Sequence, residues 1–182
     1  EMKRYIANVN NANSLNNNTA YYIFGDSKGT IWIATDTGIN KYDPETDGFS
    51  HYISVKNDSN SLSSNELLTI YEDANGIFWI GTYAKGINRF NPETETFDRF
   101  EEITELSTAV VYGILEDNDA NLWLSTNDGV FKFNPAEKRI LRHFTVKDGL
   151  QSNEFNGGAY FKSLTGEMFF GGINGLNAFF PE

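Results

Sequence analysis

The chain repeats itself four times, and no other property of its 182 residues constrains the fold as much. The stretch Gly29-Thr-Ile-Trp32-Ile-Ala-Thr35, followed by Gly38-Ile-Asn-Lys-Tyr-Asp-Pro44, returns as Gly76-Ile-Phe-Trp79-Ile-Gly-Thr82 with Gly86-Ile-Asn-Arg-Phe-Asn-Pro92. It returns again as Ala120-Asn-Leu-Trp123-Leu-Ser-Thr126 with Gly129-Val-Phe-Lys-Phe-Asn-Pro135. An altered copy runs Gly166-Glu-Met-Phe169-Phe-Gly-Gly172 with Gly175-Leu-Asn-Ala-Phe-Phe-Pro181. The copies lie roughly 45 residues apart, and all three tryptophans and all four prolines occupy equivalent places. A unit that recurs in register is one supersecondary element that needs neighbours to cover its faces.

Each unit offers four short strands. The first is Ala20–Gly25, Leu67–Glu72, Val110–Glu116 and Gly158–Lys162, rich in β-branched and aromatic residues and too short for a helix. Turns such as Asp26-Ser-Lys-Gly29 follow, where Asp or Ser can bond the turn backbone and Gly accepts positive φ. The Trp strand comes second. The third opens just after Gly38, Gly86, Gly129 or Gly175 and ends at a proline, which cannot donate to a ladder. The fourth is Phe49–Ile53, Phe97–Phe100 and Ile140–Thr145. Four antiparallel strands per unit, with large aromatics at fixed places, predict an all-β fold: a four-bladed β-propeller.

On this reading 1–182 is a single β-propeller with blades at 20–53, 67–103, 110–145 and 156–182. Arg4-Tyr5-Ile6 aligns with His51-Tyr52-Ile53, so residues 1–6 read as the outer strand of a closing blade. The last unit lacks a fourth strand. The N-terminal strand is therefore expected to complete it, within one chain or by exchange between two, removing a raw sheet edge.

Composition excludes some functions. Fourteen basic against twenty-five acidic side chains give a formal charge of −11 with no basic stripe, so nucleic acid is not an expected partner. No apolar run approaches the roughly 20 residues of a membrane helix, so direct membrane contact is not expected either. Without cysteine there are no disulfides or thiolate metal sites.

Candidate chemistry is sparse, and no catalytic set, metal site or cofactor is predicted. His51 and His143 fall at equivalent places in fourth strands, at the outer rim, two blades apart. Asp117-Asn-Asp119-Ala-Asn121 places oxygens at alternate positions as calcium loops do, but lacks their glycine and distant glutamate and occupies a hairpin the other copies build without it. Asp26, Asp73 and Asp117 recur once per blade, as structural residues do.

The repeat Asp-x-x-Gly-x-Ile-Trp-Ile-Gly-Thr with Gly-Ile-x-Arg-Phe-Asn-Pro, best seen from Asp73 to Pro92, resembles the two-component regulator propeller repeat over essentially the whole chain. The final copy, with Phe169 for Trp and Asn153-Glu-Phe-Asn-Gly-Gly158 upstream, is similar to the terminal blade that precedes a β-sandwich and membrane segment in sensor kinases. The resemblance implies a periplasmic or extracellular sensor region of a hybrid two-component histidine kinase that detects oligosaccharides. It also implies neighbouring propeller and sandwich domains as partners.

In propellers the linkers into first strands share a face with the loops between second and third strands. Where the copies disagree on that face, ligand binding is expected at Asn65, Glu66, Tyr83, Lys85, Asn153, Glu154, Phe155 and Asn156. Amides, carboxylates and exposed rings suit an oligosaccharide or another small ligand. The alternatives are a structural or protein-binding propeller and, requiring clustered His and acid near the channel, a propeller lyase.

Overall fold

The computed structural model describes residues 2–92 and 94–181. Glu1 and Glu182, the ends of the expected segments 1–6 and 156–182, lie outside the described residues. Four sheets follow one another in a ring, each ordered as the sequence runs. Blade 1 holds β1 (Ala20–Gly25), β2 (Ile31–Thr35), β3 (Gly38–Asp43) and β4 (Gly48–Tyr52). Blade 2 holds β5 (Leu67–Glu72), β6 (Phe78–Thr82), β7 (Ile87–Asn91) and β8 (Thr96–Arg99). Blade 3 holds β9 (Val111–Glu116), β10 (Leu122–Thr126), β11 (Gly129–Asn134) and β12 (Arg139–Phe144), and blade 4 holds β13 (Phe155–Lys162), β14 (Met168–Gly172) and β15 (Gly175–Phe179). All pairings within the blades are antiparallel, as the short turns demand.

Apolar residues alternate along the strands so that each sheet has a front face and a back face. Trp32 and Ile39 on the front of blade 1 meet Ile70, Phe78, Ile80 and Phe90 on the back of blade 2. Trp79, Ile87 and Phe100 of blade 2 likewise meet Ile114, Leu122, Leu124 and Phe133 of blade 3. Trp123 and Val130 of blade 3 meet Met168 and Phe170 of blade 4. Between blades 2 and 3 the linker forms a single helical turn, α1 (Thr104–Ser107), whose Leu106 is buried. Blade 4 and blade 1 share no apolar cluster among the described residues; Tyr160 reaches the Tyr22 hydroxyl at 3.5 Å.

The turn aspartates have a structural task that the repeat only hinted at. Asp26 accepts the indole N–H of Trp32 at 3.0 Å, Asp73 that of Trp79 at 2.8 Å and Asp117 that of Trp123 at 3.0 Å. The other oxygen of each carboxylate takes two turn amides, for example Thr30 N at 2.7 Å and Lys28 N at 3.0 Å on Asp26. Phe169 has no side-chain N–H to donate, and Ser163 stands where the aspartate would be, its hydroxyl accepting Glu167 N at 3.0 Å and bonding the Thr165 hydroxyl at 2.9 Å.

The expected completion of blade 4 within one chain is corrected. Blade 4 has three strands, and residues 2–6 form none. Tyr5 instead packs edge-on against Tyr42 and Phe49 of blade 1, with centroids 5.8 and 5.4 Å apart, and its hydroxyl donates to Asp47 at 2.7 Å. Lys3 pairs with the same carboxylate. The reason is an aromatic seat: Tyr52 uses the matching one on blade 2, 5.2 Å from Phe90 and 6.0 Å from Phe97, with its hydroxyl on Glu95.

Candidate functional site

The first strands β1, β5, β9 and β13 lie innermost in their blades, and each is irregular near its start. In blades 1 and 2 one extra residue intervenes, so Ala20 pairs with Thr35 but Tyr22 with Ala34, and Leu67 pairs with Thr82 but Thr69 with Gly81. In blade 4 the interruption is wider, because Phe155 pairs with Gly172 and the next pair is Tyr160 with Phe170. The expected strand Gly158–Lys162 therefore begins earlier, at Phe155, and Asn156-Gly-Gly-Ala159 bulges out of it. Gly158 takes φ +74, and a Cβ on Gly157 or Gly158 would meet nothing within 4 Å. Bulges of this kind re-aim backbone at sites.

That bulge forms one wall of a cleft of about 490 Å³ at the channel mouth, otherwise lined by Tyr21, Tyr22, Asp36, Glu66, Leu67, Leu68 and Tyr83. Two tyrosine rings stand open in it, Tyr21 at 60% and Tyr83 at 54% exposure. Tyr21 donates to Asp36 at 2.5 Å, and that bond to a carboxylate, with burial second, raises its phenol pKa. The backbone N–H of Tyr83 is fixed by the carbonyl of Glu66 at 2.8 Å, so linker and loop move as one piece. Beside them Tyr112 donates to Glu154 at 2.6 Å; burial first, then this bond, pushes its phenol up to about 12. Tyr160 joins three blades at the axis, bonding Thr69 at 2.6 Å as well as Tyr22.

Of the eight residues singled out by sequence, the cleft brings together Glu66 and Tyr83. Asn156 is exposed within the bulge, and Glu154 is half-buried on Tyr112. Lys85 is exposed, one residue past Ala84, which takes φ +60 in the longer β6–β7 loop. Phe155 is 1% exposed and belongs to the core between blades 3 and 4. The side-chain oxygens of Asn65 and Asn153 accept Ser54 N at 2.6 Å and Val146 N at 2.9 Å, just as Asn18 accepts Ala7 N at 2.7 Å. These asparagines clamp the linkers into blades 1, 2 and 4. Sequence reasoning missed Asp36 and the open Gly157-Gly158 backbone.

The other candidate chemistry resolves into local structure. His51 Nε2 contacts the carbonyl of Ser14 at 2.7 Å, and His143 stacks on Phe131 with centroids 4.1 Å apart and contacts the Asp128 carbonyl. Asp117 is spent on Trp123, Asn121, Asp119 and, at 3.2 Å, Lys132. No group of three metal-ligating side chains occurs among the described residues, and none of their helices is long and apolar enough to cross a membrane.

The model of the two-component regulator propeller matches residues 14–37 and 61–84. Histidine kinase P4 of Formosa agariphila is 33% identical over 170 residues, which are 93% of this chain and 12% of that protein. The extracellular domain of a hybrid two-component system of B. thetaiotaomicron superposes with a TM-score of 0.76 at 25% identity, covering 94% of this chain and 22% of that one. A second such extracellular domain from the same organism gives 0.74 at 26% identity, covering 92% and 23%. The chain thus spans an eighth of the kinase and under a quarter of either solved domain. It is a β-propeller in which residues 14–37 and 61–84 match the two-component regulator propeller, and it is similar to the extracellular domains of hybrid two-component systems.

Proposed function

We propose that this propeller is the ligand-sensing module of a two-component histidine kinase, working on the extracytoplasmic side and taking an oligosaccharide at the channel-mouth cleft. The observation that carries the reading is the pairing of the open Tyr21 and Tyr83 rings with the carboxylates of Asp36 and Glu66 around a backbone bulge. Sugar rings present C–H faces that stack on aromatics, and hydroxyls that donate to carboxylates and amides. The cleft draws on three blades, since Tyr21 and Asp36 come from blade 1, Glu66 and Tyr83 from blade 2 and Gly157-Gly158 from blade 4. A ligand that prefers one spacing of these blades shifts the population between two blade arrangements by its differential affinity, which is all a signal requires.

Isothermal titration of the intact chain against a panel of neutral oligosaccharides tests this. Binding is expected for at least one glycan, weakened tenfold or more by Tyr83→Ala while the melting temperature stays within a degree or two, since Tyr83 is exposed. No binding across the panel, or binding indifferent to Tyr83→Ala and Tyr21→Ala, overturns the assignment.

A further inference from the structure

Resting on the assignment of the channel-mouth cleft as a sugar site, we infer that the cleft is charge-selective: it admits neutral and amine-bearing oligosaccharides and turns away anionic ones such as uronates, with Asp36 and Glu66 as the deciding residues.

The four side chains concerned come from neighbouring blades. Tyr21 and Asp36 belong to blade 1, and Glu66 and Tyr83 lead into and out of strands of blade 2. These two sheets share one continuous core through Trp32, Ile39, Ile70 and Phe78. Asp36 is held by the Tyr21 hydroxyl at 2.5 Å, and Glu66 is held through its carbonyl by Tyr83 N at 2.8 Å. This half of the cleft therefore keeps its shape whatever lies beyond it.

Both acids are exposed at the cleft. No lysine, arginine or histidine is among the described residues that line it. Among the described residues neither carboxylate has an ion-pair partner, and that of Glu66 accepts no hydrogen bond. The phenol of Tyr21 brings no positive charge. Its pKa is raised by the bond to Asp36, then by burial, then by the negative charges of Asp36 and Glu66, so it stays a neutral O–H already committed to Asp36. A third carboxylate, Glu154, stands alongside on Tyr112.

A carboxylate accepts hydrogen bonds and donates none, so it suits the hydroxyls of a neutral sugar and suits an ammonium group better still. A uronate also only accepts. Each like charge about 5 Å away weakens its binding roughly fourfold even at the dielectric of water, so two acids together amount to about tenfold or more. Against these full charges the Gly157-Gly158 backbone offers only dipoles.

Three tetrasaccharides on one β-1,4-linked glucose backbone test the selectivity. They are cellotetraose, the chitosan tetramer, with amines in place of the 2-hydroxyls, and cellotetraose oxidised to carboxylates at its primary hydroxyls. Isothermal titration of the intact chain in mildly acidic, low-salt buffer is expected to rank them amine, neutral, oxidised, the last about tenfold or more below the neutral chain. In Glu66→Gln the neutral-to-oxidised ratio is expected to fall about fourfold, and in Glu66→Gln with Asp36→Asn about tenfold or more. Asn at 36 still accepts the Tyr21 hydroxyl. Glu105→Gln, on the exposed side of α1, removes the same unit from the formal charge of −11 away from the cleft and is expected to leave the ratio alone. A ratio that moves equally there assigns the discrimination to net charge and overturns the role of the two acids. Equal or tighter binding of the oxidised chain overturns the selectivity and leaves the sugar site standing. If cellotetraose does not bind, the same oxidation is applied to each neutral glycan that does. Absence of binding by every neutral, amine-bearing and oxidised chain overturns the sugar site itself, and the selectivity with it.

Discussion

Blades 2 and 4 are built from the same repeat and differ in what surrounds them. Blade 2 is gripped on both faces, so Trp79 is 1%, Ile80 0%, Ile87 1% and Phe90 1% exposed. In blade 4 only the back face is gripped: Met168 and Phe170 are fully buried while Phe161 and Leu176 on the front remain open. The sequence follows the surroundings. Where the tryptophan face is covered, an aspartate waits for its indole N–H; where it is not, Phe169 and Ser163 replace the pair together. Neither change makes sense alone, because a carboxylate without the indole would lose its donor and an indole without the carboxylate would bury an unpaired N–H. The unit of substitution is thus the turn and the strand jointly, which lie six residues apart.

The comparison breaks first under truncation. Trp79→Ala removes the largest side chain of a doubly covered sheet and frees the Asp73 carboxylate, so a loss of about 3–5 kcal/mol is expected in urea unfolding. Phe169→Ala acts on a half-buried ring with no hydrogen bond and is expected to cost less than about half of that. Equal losses would mean that blade 4 is as enclosed as blade 2 and that the open front face is not the state in solution.

Much of this architecture was legible in the chain because its signals are local. Alternation, turn aspartates and strand-ending prolines act within a few residues, and four registered copies let each check the others. What escaped was long-range. Tyr5 aligns with Tyr52 and so reads as part of a closing blade completed within one chain or between two, but a register does not say which neighbouring sheet supplies the seat. At the mouth, Tyr83 and Glu66 were found as places where the copies differ. Asp36 was missed because only the fold brings it to Tyr21, and the Gly157-Gly158 backbone because a bulge exists only relative to its partner strand. The same criterion, applied strictly, would have set aside Asn65 and Asn153, since Asn18 repeats them. It would also have set aside Phe155, whose counterparts Leu67 and Val111 are core residues.

A smaller effect sharpens the contrast at the turns between second and third strands. Gly38→Ala must hold φ +107 and push a methyl into the Tyr52 carbonyl at 2.3 Å, so about 2–4 kcal/mol is expected from backbone strain and overpacking together. Gly175→Ala meets only the backbone penalty, about 1 kcal/mol. Measuring both variants in urea unfolding therefore separates an intrinsic property of the turn from one conferred by its neighbour, and equal losses would mean that the Tyr52 carbonyl gives way to the methyl.

The smallest expected effect is the pH dependence of the aspartate clamps. For Asp117 burial pushes the carboxyl pKa up, but the donors from Trp123, Asn121 and Lys132 outweigh it and hold the group below the ordinary carboxylate range. Asp26 follows the same pattern, burial opposed by Trp32, Thr30 and Lys28. A carboxylate depressed in the folded state releases its proton more readily there than in the unfolded chain, so folding is favoured while the group is ionised. That contribution is complete above the unfolded value, about pH 4, and disappears as pH falls through the lower folded value. Asp117→Asn keeps an acceptor for the indole but removes the negative charge that lies 3.2 Å from the Lys132 ammonium. A loss of about 1.5–3 kcal/mol is expected at pH 7. The gap between variant and parent should begin to narrow below about pH 4 and close further as pH falls through the lower folded value, where the parent loses the same charge. Blade 4 supplies the control, because Ser163 does not titrate and Ser163→Ala should show a constant offset across the same range. A gap that stays fixed for Asp117→Asn between pH 7 and pH 3 would mean that the carboxylate acts by shape alone and that its charge contributes nothing to holding blade 3 in place.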